Sequence, residues 1–88
     1  MLDIAHAVTE YDRKQAGKKG YNIWALGHYM KACQDVRAHV ANGVTLRDAI
    51  IGCFNGRLCD HVLKSQGLAK MTDAEARHGK RLPELADA

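Results

Sequence analysis

Eighty-eight residues make one small domain, with 47% apolar and 26% charged residues, the balance of an ordinary globular protein and not of a disordered one. A chain of this length has no room for a second lobe with a cleft between, which weighs against most nucleotide-dependent and multi-substrate enzymes. Thirteen Lys and Arg against ten Asp and Glu leave a formal charge of +3, which permits nucleic acid or an acidic protein face as partner and requires neither.

Proline occurs once, at Pro83, and no stretch shows the β-branched alternation of strands. The chain therefore reads as all-α: a small single-domain bundle of three to five helices over residues 1–81, followed by a loose tail at 82–88. The first helix is expected over 2–15, where Ile4, Val8 and Tyr11 recur at threes and fours and Gly17 suits the C-terminal stop. Lys18, Lys19 and Gly20 then make a short basic turn. The second helix, over 22–42, carries Leu26, Tyr29, Met30, Cys33, Val36 and Val40 on one stripe, with Asn22 as N-cap and Gly43 as stop. At 1.5 Å per residue it would run about 30 Å, a long central spine for the domain.

Thr45 and Asp48 open a third segment as a shortened capping box, and Gly67 ends it. Within it Leu46, Ala49, Ile50 and Cys53 share one face, whereas Leu58, Cys59, Val62 and Leu63 centre on a face roughly 160° away. Either the helix breaks at Asn55 and Gly56, or one helix is buried on both sides; Asn followed by Gly favours the break. Thr72 with Glu75 then opens a short helix over 73–78. The expected core contains Leu26, Met30, Cys33, Val36, Ile50 and Phe54.

Cys33, Cys53 and Cys59 sit inside apolar runs without the regular spacing of a secreted disulfide scaffold, so they read as reduced thiols in a cytoplasmic protein. No basic residue precedes the apolar positions at the N-terminus, against a secretory signal, and the apolar run at 49–54 is too short to span a bilayer. Cys59 and His61 are two apart on a helix and point away from each other, so they cannot share a zinc ion, and no C-x-x-C pair exists. The single serine, Ser65, lies in a helix's last turn and not in a nucleophile elbow, and no glycine-rich phosphate loop is present. Neither a catalytic site, a cofactor nor a metal is expected.

The basic residues offer more. Arg13 and Lys14 at the end of the first helix, with Lys18 and Lys19 in the following turn, read either as capping and solubility or as a contact for phosphate or carboxylate. Tyr21 and Trp24 follow at once, and Trp24 falls roughly 170° from the centre of the second helix's apolar stripe. It is either covered by another helix or an anchor on a partner surface, a role in which Trp and Tyr are enriched. Arg57, Asp60 and Lys64 sit at helical neighbour spacing, as do Lys31 and Asp35, and read most simply as surface ion pairs. A helix-turn-helix would need a shorter helix before Gly43 and more than Arg47 on the opening turn after it.

The run from Tyr21 through Asn22, Ile23, Trp24, Ala25, Leu26, Gly27 and His28 to Tyr29, with the later Leu46 to Ile50 and Phe54 to Leu58, resembles small helical accessory proteins of phages, plasmids and integrated elements. Such proteins, anti-CRISPR proteins among them, commonly bind and block a host machine. The resemblance implies a non-enzymatic inhibitor of a host nucleic-acid-handling complex, with a CRISPR effector as the most concrete partner. The alternative is a small nucleic-acid-binding or regulatory protein using the basic turn with Arg47, Arg57 and Lys64. A homodimer is compatible with either, and no membrane partner is expected.

Overall fold

The computed structural model describes residues 4–17 and the backbone of 26–84, with side chains from Met30 onward in that second stretch. Five helices follow in order: α1 (Ile4–Gln15), α2 (Leu26–Ala41), α3 (Leu46–Cys53), α4 (Gly56–Ser65) and α5 (Asp73–His78). No strand occurs among the described residues. The all-α reading holds, and five helices lie at the top of the expected range.

Local chemistry sets the boundaries. Thr45 caps α3, its hydroxyl oxygen accepting from the Asp48 N–H at 3.2 Å. Thr72 and Glu75 close a reciprocal capping box at α5: the Thr72 hydroxyl accepts from the Glu75 N–H at 3.2 Å, and the Glu75 carboxylate accepts from the Thr72 N–H at 3.0 Å. The third segment does break at Asn55 and Gly56. Phe54 ends α3 in extended backbone, and Gly56 starts α4 at φ +59°, a left-handed conformation that costs glycine nothing and a side chain much. The break resolves the two-faced apolar pattern, because α3 and α4 turn Ile50 and Leu58 into one core from different directions.

The first four helices pack as a closed ring. α2 lies mainly on α3 and α1 mainly on α4, while α1 with α2 and α3 with α4 complete the circuit. The core gathers Ile4 and Val8 from α1, Cys33 and Val36 from α2, Ile50 from α3, Phe54 from the break, and Leu58, Val62 and Leu63 from α4. Cys33, Val36, Ile50 and Phe54 are buried as expected.

The second helix departs from expectation in two ways. It spans sixteen described residues, and in the ring it is one wall among four instead of a central spine. Over its described side chains, from Met30 onward, the buried face is also rotated; those of Leu26 and Tyr29 lie outside the described residues. Ala32, Cys33, Val36 and His39 point inward, whereas Met30 is 47% exposed and Val40 37% exposed. On a helical wheel the observed centre lies about 60° from the expected one. His39, read as polar, is buried at the α2 C-terminus, and Ala32 adds a small apolar position beside it. Together they draw the stripe toward themselves and carry Met30 into the open.

Beyond α4 the chain returns across α3. Arg47 of α3 reaches the loop before α5, Lys80 pairs with Asp48 at 3.7 Å, and the Leu82 side chain lies over Gly52. α5 itself buries no residue. No helix among the described residues is long and apolar enough to cross a membrane.

Candidate functional site

Of the eight partner-binding candidates, Lys18, Lys19, Tyr21 and Trp24 lie outside the described residues. The other four fall on two helices that pack together: Arg13 and Lys14 on α1, Arg57 and Lys64 on α4. All four are exposed.

Packing brings two of them to one place. An open cleft of about 370 Å³ between α1 and α4 is lined by Glu10 and Lys14 from the first and by His61, Lys64 and Ser65 from the second. Lys14 and Lys64 both belong to the last turn of their helix, where the carbonyl ends of the backbone dipoles favour a cation. Lys14 is tied to Glu10 one turn earlier at 3.4 Å, an exposed pair. Among the described residues no carboxylate pairs with Lys64. Arg57 shares its face of α4, but two turns away, about 10 Å along the axis and outside the cleft.

His61, which the sequence marks only as an unsuitable zinc ligand, forms part of the cleft wall. Its ring meets Tyr11 of α1 at a centroid distance of 5.4 Å and an interplanar angle of 47°. Its Nε2 is buried without a hydrogen-bond partner. The Ser65 hydroxyl is already committed: it donates to the Val62 carbonyl at 2.6 Å and accepts from the Gln66 amide at 3.1 Å. A ligand entering the cleft therefore meets two ammonium groups, one carboxylate and an imidazole.

Arg47, a candidate phosphate contact by sequence, is held within the fold. Its Nη1 and Nη2 donate to the two Glu75 carboxylate oxygens at 2.8 and 2.7 Å, and Nε and Nη2 also donate to the carbonyls of Ala69 and Lys70 at 3.2 and 3.0 Å. The bond from Arg47, seconded by the Thr72 N–H, draws the Glu75 carboxyl down to about 2, and the same pair raises the Arg47 pKa. Asp60, expected to pair with Arg57 or Lys64, instead accepts from the Met71 N–H at 3.0 Å. Both residues fasten the loop before α5. The Lys31 and Asp35 pair is present at 3.1 Å.

No disulfide joins the cysteines. Burial, with Asp35 adding, pushes the Cys53 thiol up to about 11; burial, with Asp60 adding, does the same to Cys59. The Cys59 Sγ faces the Ile50 carbonyl at 3.8 Å inside the core. Thiols so perturbed are protonated at neutral pH and poor nucleophiles. Among the described residues no group of His, Cys, Asp and Glu gathers in a form that could hold a metal ion.

No protein-family model, no characterised protein and no solved structure matches the chain.

Proposed function

We propose that the chain is a non-enzymatic binding protein that docks on a partner protein through the cationic end of α1 and α4. The observation that carries this reading is the convergence of Lys14 and Lys64 from two helices on one cleft. The neighbouring groups favour a protein over a nucleic acid. A phosphate backbone is held by several Lys and Arg contacts along one track. Here Glu10 interrupts it, and two helix C-termini add partial negative charge. The raised Cys53 and Cys59 thiols weigh against a thiol enzyme.

The resemblance to mobile-element proteins extends the proposal: the partner is a host nucleic-acid-handling complex, inhibited by occlusion, with a CRISPR effector as its most concrete form and the cytoplasm as the place of action. Lys18, Lys19 and Trp24, close behind α1 in sequence, are further candidates for partner contact in this reading, with Trp24 as the candidate aromatic anchor. The runner-up, a small nucleic-acid-binding or regulatory protein, would use the same lysines.

Affinity capture from nuclease-treated bacterial lysate, run in parallel with wild type, a Lys14→Gln/Lys64→Gln variant and Trp24→Ala, tests the reading. A defined protein complex is expected with wild type and is lost with the double variant, while Trp24→Ala weakens it by about 2 kcal/mol or more. Capture that disappears on nuclease treatment, or that is indifferent to all three side chains, overturns it. Inhibition itself is read by restored plasmid establishment in cells carrying an active CRISPR effector, and unchanged interference removes that extension.

A further inference from the structure

Resting on this protein-binding reading, we infer that the cleft between α1 and α4 receives the carboxylate of an acidic peptide segment, which takes Lys64 first and competes with Glu10 for Lys14. The charge count points there. Two ammonium groups against one carboxylate leave a single formal positive charge at the lining, reduced by the two helix C-termini, which suits one carboxylate better than a dianion. A doubly charged phosphate monoester would be left undercompensated beside Glu10.

The internal pairing in the cleft is also the kind that gives way. Lys14 and Glu10 are one turn apart on an exposed helix face, at 3.4 Å, so exchanging Glu10 for an incoming carboxylate costs little. Among the described residues Lys64 has no such tie to lose. The Ser65 hydroxyl, donating to Val62, adds no donor for a ligand, so the lysines bear the recognition.

His61 also lines the cleft. Its Nε2 is buried with no partner, a condition native structures seldom leave unanswered. The His61 ring in the cleft wall gives the methylenes of a glutamate side chain a surface to pack on.

The probe is an acetylated and amidated pentapeptide, Glu-Glu-Leu-Glu-Glu, titrated into the isotopically labelled full chain and followed by NMR. Inorganic phosphate and a short oligothymidylate serve as competing chemistries. Saturable shifts are expected at Tyr11, Lys64 and the His61 ring. Lys14→Gln/Lys64→Gln should weaken the peptide about fivefold or more, and Glu10→Gln should tighten it about two- to threefold.

Shifts confined to another face overturn the assignment, as does stronger binding of phosphate or oligothymidylate than of the peptide at matched ionic strength. So does a Glu10→Gln variant that folds normally and binds the peptide no better. The two readings fail separately. Lysine-dependent capture of a protein complex without peptide binding leaves the broader function standing and removes the carboxylate slot. Peptide binding without any captured complex does the reverse.

Discussion

Leu82 rests on Gly52 so closely that a Cβ at residue 52 would overlap its Cγ and Cδ1. The chain after α5 is thereby seated on α3 by one apolar side chain over one missing side chain, beside the Lys80 and Asp48 pair. Gly52→Ala should separate two effects. Helix propensity favours alanine by about 1 kcal/mol, so the bundle should lose nothing and gain slightly in thermal stability. Leu82 must turn away, so amide hydrogen exchange over residues 79–84 should accelerate. Unchanged exchange there would mean that Leu82 shifts by a rotamer and stays docked.

Glu75→Gln should release α5 without unfolding the ring. The carboxylate serves both Arg47 and the Thr72 N–H, and α5 buries nothing to replace those bonds. Faster exchange should appear at 69–78, with the core amides of α2 and α4 still protected. Acid should do the same to the native protein. The Glu75 carboxyl lies at about 2 in the fold against an ordinary 4.5, so its contribution is complete above pH 4.5 and fades as pH falls toward 2. Loss of α5 protection between those limits, ahead of the core, is the expected profile. Simultaneous loss of both would show that the arm and the ring are one cooperative unit.

These contacts mark the boundary of what the sequence discloses. Thr45, Thr72 and the Asn55 to Gly56 break were legible because capping and chain reversal act over three or four residues. The face of α2 was not. A buried histidine, His39, looks polar in a periodicity count, and its burial depends on what packs against it. Arg47 presents itself as a surface cation, and only the fold brings Glu75 to it from 28 residues away. Likewise the meeting of Lys14 with Lys64 is a product of α1 lying along α4.

Phe54→Ala should cost about 3–5 kcal/mol, since its ring is 4% exposed at the turn where α3 and α4 meet. A chain of this length commands roughly 4–13 kcal/mol in total, so the variant should melt far lower or fail to accumulate. Denaturant titration reads the difference directly. A loss under about 1 kcal/mol would contradict the core placement.

Thiol reactivity should be low and ordered. With Cys53 and Cys59 near 11, alkylation at neutral pH should be slow and rise about tenfold per pH unit until the thiols ionise. Cys53, half-buried, should react first, and Cys59, fully buried, only as the protein unfolds. Mass spectrometry of timed digests distinguishes the sites. Rapid labelling of Cys59 in the native state would mean that the core opens readily.

The ring of helices has a temporal side. α2 and α3 can meet as soon as Gly43 and Val44 let the chain turn, whereas α1 must find α4 across forty intervening residues. Closing so long a loop is slow and entropically costly. The lysine cleft straddles that seam, so it exists only when the circuit is complete. A half-folded or N-terminally trimmed chain has no recognition surface to offer. Conversely, any partner gripping both helices acts as a latch on folding, and should raise the melting temperature in proportion to the logarithm of its concentration.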